Sequence, residues 1–366
     1  MKYYNLKYYE QRKKIKNSFI YKKLVLNFLR LKKYLSNRFY KVLDQQFIPN
    51  PKNIIYIEPT SRCNLKCKFC GYVKRDLDEH PYTSMDIETF KSTVDQIILL
   101  GYENIGLTPV TGDVFMDKNI QEKFSYLEIK KINYQFYTNF ISLSEKDIDL
   151  MFEHKYLKKV NISIYGHNLD SFIKFTKSNK ISYERLIKNL TYLNNKLKNG
   201  YNFNLILDHR TEREFFLSED NSSLSEIIKL IMSNHEIDYN YQYDFNNWGG
   251  MIEDNDISDL NIDFRKMPIQ KHGACSLIFS KLIIGANGNI NACACRDANF
   301  SLRIGNIKEL KLDNIISSKN KKYIDLINNQ EKGNFPDVCK SCDFYDSIYN
   351  KRKHSIDKKA FLRNVS

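Results

Sequence analysis

Eight cysteines in 366 residues fall into two groups. Cys63, Cys67 and Cys70 lie inside the stretch "IEPTSRCNLKCKFCGY", and Cys275, Cys293, Cys295, Cys339 and Cys342 lie in the last third of the chain. No run of about 18 apolar residues occurs, and the N-terminus is too basic and too interrupted for a secretory signal, which points to the cytoplasm. Thiols stay reduced there, so clustered cysteines are metal ligands before they are disulfides. Structural zinc usually takes four ligands, and no histidine lies near Cys63, Cys67 and Cys70 to complete such a set. An iron-sulfur cube held by three cysteines leaves one iron open to bind something reactive. That open iron is the chemistry the first group offers.

The elements that must position these thiols follow from periodicity. Short β-rich runs at 54–58, 104–109, 133–138, 159–164, 201–208 and 237–245 alternate with helical patterns. One helix is expected to start at Thr83, three residues before Asp86, and to close on Gly101; others cover 145–152, 183–197 and 223–232, the last with Ser222 as N-cap. Repeated strand and helix pairs imply a parallel α/β sheet with right-handed crossovers, curled into a partial (β/α)6 barrel. Chemistry in such sheets sits at the carboxyl ends of the strands. The three cysteines directly follow the first strand, which is that location.

Cys63-x-x-x-Cys67-x-x-Cys70, with Phe69 before the last cysteine, resembles the motif of the radical S-adenosylmethionine (SAM) superfamily. The resemblance implies a [4Fe-4S] cluster whose open iron binds SAM, reductive cleavage to a 5′-deoxyadenosyl radical, hydrogen abstraction from substrate, and an electron donor such as flavodoxin or ferredoxin. It places Phe69 near the adenine, a position equally open to a core aromatic. "TPVTGDVFMD" stands where the family has Gly-Gly-Glu-Pro, so Thr111, Gly112 and Asp113 are expected around the SAM amino group, with Asp113 shorter than Glu and Val114 in place of Pro. "YTNF" resembles the family's Thr-Asn-Gly, which sets Thr138 and Asn139 near the cofactor and Phe140 where glycine belongs. Ser163 resembles the residue that contacts the ribose or carboxylate of SAM, and is otherwise a turn former. The family's glycine-rich motif near the fifth strand is not visible in "YNFNLILDHR".

The later cysteines resemble the SPASM extension of that superfamily, or its shorter twitch form, in which a hairpin and a following helix hold auxiliary iron-sulfur clusters. "GANGN" at 285–289 is a hairpin signal between Cys275 and Cys293. Five cysteines suffice for one four-cysteine [4Fe-4S] cluster, assigned to Cys275, Cys293, Cys339 and Cys342. Cys293 is preferred to Cys295 because the resembling pattern puts the ligand first and an acid, here Asp297, soon after. Residues two apart share a strand face, so the choice stays open, as does a zinc site built from the same four thiols. "DFNNWGGMI", with the single tryptophan Trp248, either lines the substrate side or packs the seam between domains, and "RIGNI" at 303–307 reads as a turn.

Charge sets one region apart. Residues 1–50 hold 13 Lys or Arg against Glu10 and Asp44, out of a net +14 for the chain. Phe19, Leu24, Phe28, Leu31, Leu35 and Tyr40 recur among the lysines at helical spacing. Such a basic helix either packs its apolar stripe on the main domain, lies on an acidic membrane surface, or touches nucleic acid. The expected organisation is this extension at 1–50, a radical SAM core at 51–255, an auxiliary-cluster domain at 270–345 and a basic tail at 346–366.

The substrate is expected to be a small polar molecule, sugar-like or cyclitol-like, oxidised with the auxiliary cluster as electron acceptor. A maturase acting on a ribosomally made peptide is the alternative; its leader-binding winged helix, about 80 residues long, does not fit the 50-residue extension. The cysteine motif at a strand end argues against a non-catalytic or nucleic-acid-binding metal protein. Asp208, His209 and Arg210, at the end of the fifth strand, are candidates for a base or polar clamp, as easily read as a solvated loop; Cys295 is a candidate hydrogen donor.

Overall fold

A computed structural model describes residues 21–364 apart from Pro109, Cys295 and His354, together with Leu6, Glu10, Gln11, Lys14, Ile15 and Ser18. Cys295 and Phe19 therefore lie outside the described residues. Six strands form the centre: β1 (Ile55–Ile57), β2 (Asn104–Leu107), β3 (Asn133–Thr138), β4 (Leu157–Tyr165), β5 (Asn204–Arg210) and β6 (Asp238–Gln242). They run parallel in the order of the chain. Parallel neighbours need crossovers, and helices fill that role, among them α2 (Ile87–Leu99), α3 (Ile120–Lys130), α4 (Glu145–Glu153), α5 (Leu169–Thr176), α6 (Lys180–Leu197) and α7 (Ser223–Asn234). Helix α1 (Leu26–Val42) precedes the sheet.

The sheet does not close on itself. The outer edge of β1 is taken by β7 (Ile283–Ile284), parallel to it, and β8 (Asn289–Asn291) and β9 (Arg303–Asn306) continue antiparallel. The result is one nine-stranded sheet in which the C-terminal hairpin extends the partial barrel. Helices α8 (Lys321–Glu331) and α9 (Asp337–Ser341) follow. Strand β4, the longest of the sheet, is buried without a break from Val160 to Ile164, as a two-sided parallel strand should be.

Several expectations shift. Helix α2 begins at Ile87, not near Thr83: the Asp86 carboxylate caps it, accepting from Thr89 N at 2.7 Å, while Thr83 bonds through its backbone to Ser61. Ser222 caps α7 as expected. "RIGNI" is strand rather than turn, because Arg303–Asn306 completes the hairpin sheet. Cys293 lies beyond the end of β8 at Asn291, so strand alternation does not govern it. The sixth run breaks after Gln242, and Asp244–Phe245 pairs instead with Asp263–Phe264.

Most of the expected stripe is not packed on the main domain. Leu24, Phe28, Leu31 and Leu35 are exposed, while Tyr40 packs on Phe47 and the core, and Asn37 is the buried residue of the helix. The physical reason is that α1 docks by its polar side: Arg30 donates to Met267 O, Lys33 pairs with Asp346 and Tyr34 contacts the His272 ring.

Candidate active site

The first cysteines sit on the loop that leaves β1. Its backbone is pinned to α5: Lys66 N donates to Thr176 O (3.0 Å) and Lys68 N to Phe175 O (3.1 Å). Backbone N–H groups point at sulfur, Leu65 N at Cys63 (3.4 Å) and Tyr72 N at Cys70 (3.5 Å). Burial pushes all three thiols up, and the neighbouring cysteines add to the effect at Cys63 and Cys67. Three thiolates in such a place need positive charge to stabilise them, which a metal centre supplies. Among the described residues no three His, Cys, Asp or Glu side chains close on a single ion; a four-iron cube asks for ligands set wider apart.

The loops after β1, β2 and β3 are tied through one buried carboxylate. Asp113 N donates to Arg62 O (2.8 Å). The Asp113 oxygens accept from Phe115 N (3.0 Å), Asn139 N (2.6 Å) and the Thr138 hydroxyl (3.1 Å). Asn139 in turn donates to Asn64 Oδ1 at 2.7 Å, one residue from Cys63. Desolvation raises Asp113 to about 6, against the pull of these hydrogen bonds. Phe140 adopts φ 63, the left-handed conformation glycine favours, and its buried ring accepts a strain of about 1 kcal/mol.

These groups surround a cavity of about 370 Å³. Cys63, Cys67, Cys70, Phe69, Thr111, Gly112, Asp113, Thr138, Asn139 and Ser163 all line it. Phe69 also packs among Tyr165, Phe175 and Phe245, with centroids 4.6 to 5.8 Å away, so it is both lining and core. Of Asp208, His209 and Arg210, the last residues of β5, only Arg210 reaches the cavity. His209 is fully buried between Tyr239 OH (2.9 Å) and Gly166 O (2.7 Å), and Asp208 accepts from Asn240 (3.0 Å). The expected solvated loop is still strand there, and its alternation turns His209 away.

Sequence reasoning missed Tyr56, Tyr137, Lys281 and Arg296, which line the same cavity. Lys281 donates to Tyr56 OH at 2.6 Å and lies over its ring. One signal was readable: Gly106 sits inside a strand, and a Cβ there would fall 2.5 Å from the Tyr56 ring. Glycine in a strand interior marks such a close approach.

The second thiol site is assembled from distant segments. Cys275 is buried, while Cys293, Cys339 and Cys342 are half-buried. Gln330 bridges two of them, accepting from Cys275 N (2.8 Å) and donating to Cys339 sulfur (3.4 Å). Lys271 donates to the carbonyls of Cys339 and Lys340. Burial holds Cys275 and Cys339 near about 12, each raised further by neighbouring thiols, and Cys342 is raised as well. Asp297 accepts from Asn291, Ser301 and Leu302, and so organises the loop after β8.

The segment 246–250 joins the two sites. Trp248 Nε1 donates to Phe69 O at 2.8 Å, beside Cys70. The preceding Asn247 donates to Asp343 (2.9 Å) and to Ser341 O (2.7 Å), on either side of Cys342. Trp248, Gly249 and Gly250 all take positive φ, and a Cβ at Gly249 would meet Val338 at 2.4 Å. The Arg296 guanidinium lies 4.4 Å from the Phe344 centroid and 5.7 Å from that of Trp248, and its charge favours the thiolates of both Cys70 and Cys342.

Comparison with family models places two known domains on this geometry. Residues 57–216 match the Radical SAM superfamily, and residues 275–343 match SPASM, an iron-sulfur cluster-binding domain. The chain carries a radical SAM domain and a SPASM domain. Its cofactors are accordingly a SAM-binding [4Fe-4S] cluster, an auxiliary [4Fe-4S] cluster and SAM. The structure of BtrN in complex with AdoMet and 2-DOIA is similar at TM-score 0.51 and 16% identity, over 82% of this chain and 97% of that one. Streptococcus suis SuiB bound to precursor peptide SuiA is similar at TM-score 0.56 and 14% identity, over 95% of this chain and 82% of that one. At this identity both establish the partial radical SAM barrel and nothing finer. No curated protein matches the radical SAM chain by sequence. Among its described residues no helix is long and apolar enough to cross a membrane.

Proposed function

We propose that the enzyme oxidises a small polar molecule, a sugar or cyclitol alcohol, by two electrons. The observation that carries this reading is the segment 246–250, in which Trp248 donates to Phe69 O beside Cys70 and Asn247 donates to Ser341 O and Asp343 on either side of Cys342, so that one short segment links the surroundings of the two thiol groups. When bound, the first cluster supplies the electron that cleaves SAM to methionine and the 5′-deoxyadenosyl radical, and the auxiliary cluster supplies an electron-accepting site. In this reading Cys63, Cys67 and Cys70 hold the first cluster and Cys275, Cys293, Cys339 and Cys342 the second. Asp113, Thr138 and Asn139 orient the amino end of SAM, Ser163 its far side, and Phe69 walls off water. Arg210 faces the substrate. Its Nε is buried without a partner among the described residues, which suits a polar clamp on a hydroxyl.

The balance is that of an alcohol becoming a carbonyl. The substrate carbon would give up a hydrogen atom and its hydroxyl a proton, for which SAM, when bound, would supply the hydrogen acceptor, solvent or a base the proton acceptor, and the auxiliary cluster the acceptor of the second electron. An external donor of the flavodoxin or ferredoxin class supplies the electron that starts each turnover. A cavity of about 370 Å³ that also takes SAM favours a small substrate over a peptide segment. The test is a panel of sugar and cyclitol alcohols given to reconstituted protein with dithionite and SAM. One alcohol should raise 5′-deoxyadenosine release at least about tenfold and yield one carbonyl product per 5′-deoxyadenosine. Stimulation by peptides alone would overturn the reading.

A further inference from the structure

Helix α1 is amphipathic in the opposite sense to a helix that covers a core. Leu24, Phe28, Leu31, Leu35, Phe39 and Val42 follow one another at intervals of four, three, four, four and three residues, which keeps them on one line of an α-helix. Every one of them is between 46% and 79% exposed. The side turned to the protein is the polar one, with Asn37 buried and Arg30 and Lys33 bonded to Met267 and Asp346. An apolar line about 27 Å long is thereby presented outward by a helix whose polar contacts hold it in place.

The charge of the helix decides what can cover that line. From Tyr21 to Leu43 there are seven cations, Lys22, Lys23, Arg30, Lys32, Lys33, Arg38 and Lys41, and no acid. Lys32 and Arg38 are exposed and border the apolar line on its two sides. A second copy of the chain packed line to line would bring these cations against the same cations. Nucleic acid would satisfy the cations and leave the leucines and phenylalanines in water. A bilayer with anionic headgroups satisfies both, taking the apolar line at the acyl boundary and the lysines and arginines at the phosphates.

We propose that α1 is a docking surface for an anionic lipid bilayer. It lies flat, since its cations forbid spanning. Because α1 is held by Met267, His272 and Asp346, which flank Cys275 and Cys342 in the chain, docking turns the SPASM side of the enzyme toward the lipid.

The experiment is flotation of the full-length, cluster-loaded protein with phosphatidylcholine vesicles and with vesicles containing about 30% phosphatidylglycerol. The protein should float with the anionic vesicles only, and about 0.5 M salt should weaken binding severalfold. A Phe28→Ser, Leu31→Ser, Leu35→Ser, Phe39→Ser variant should lose about tenfold or more in binding with iron content and circular dichroism unchanged. Lys32→Glu with Arg38→Glu, at exposed positions, should lose a similar factor. Failure of the wild type to float with anionic vesicles would overturn the proposal. So would undiminished binding by the serine variant, or a wild-type dimer that the serine variant converts to monomer, which would assign the line to a second copy.

Discussion

The two thiol sites reach a similar end by different construction. Cys63, Cys67 and Cys70 come from a single turn of loop, and backbone hydrogen bonds to α5 and N–H groups aimed at sulfur hold them. Cys275, Cys293 and the Cys339–Cys342 pair come from three places, and side chains make the ties, Gln330 joining Cys275 to Cys339 and Lys271 holding the carbonyls of Cys339 and Lys340. A site written into contiguous backbone survives most side-chain changes nearby. One gathered by side chains inherits the vulnerability of each of them.

The largest effect should separate the two sites outright. Reconstituted wild type should bind about eight iron, two cubes of four. Cys67→Ala should lose about four of them together with all 5′-deoxyadenosine release, whereas Cys339→Ala should lose about four and still cleave SAM. Iron assay and chromatography check both; equal loss of SAM cleavage in the two variants would erase the contrast. Next comes the ligand choice at the gathered site. Cys293→Ala should lose about four iron, while Cys295→Ala should keep the full count and the auxiliary electron paramagnetic resonance signal. The reverse pattern would move the assignment to Cys295.

A smaller effect should follow pH. Asp113, raised to about 6 by burial, is neutral below that value and charged above it. Its contribution to folding stability is therefore fully present below 3.8, its ordinary value, and is lost as pH rises through about 6. A role opposite the SAM ammonium has the other sign: SAM affinity should climb by up to about tenfold per pH unit toward about 6 and then level off. Asp113→Asn should flatten that profile in a binding titration. The smallest effect concerns two lysines near Cys339. Lys271→Met removes the donor to two carbonyls of α9 and should speed loss of the auxiliary iron to a chelator severalfold. Lys340→Ala breaks only an exposed pair with Asp337, and its retention curve should match wild type.

The same contrast explains what could be read in advance. The first site was legible because its three cysteines share one loop after a strand, and because strand and helix periodicity are local properties. Thr138, Asn139 and Asp113 were legible as short motifs, but not their mutual hydrogen bonds, which depend on how three loops converge. Lys281 and Tyr56 were opaque, since they are 225 positions apart and meet only once β7 lies beside β1. His209 was misplaced because the strand runs two residues farther than its composition indicates, and alternation then turns the side chain inward. For α1 the pattern was clear and its orientation was not, because periodicity says which residues share a face and nothing about which face meets the protein.

The pairing of β1 with β7 sets an order of assembly during synthesis. Strand β1 emerges early, and the partner for its outer edge, Ile283–Ile284, emerges only some 230 residues later. At about 5–20 residues per second, the edge beside the Cys63–Cys70 loop stays open for roughly 11 to 45 seconds. Until then it is an unpaired parallel strand with buried-type residues, a template for joining other chains. A chain cut before residue 270 would keep that edge for good, so loss of the SPASM domain should cost the radical SAM half its solubility before it costs any chemistry.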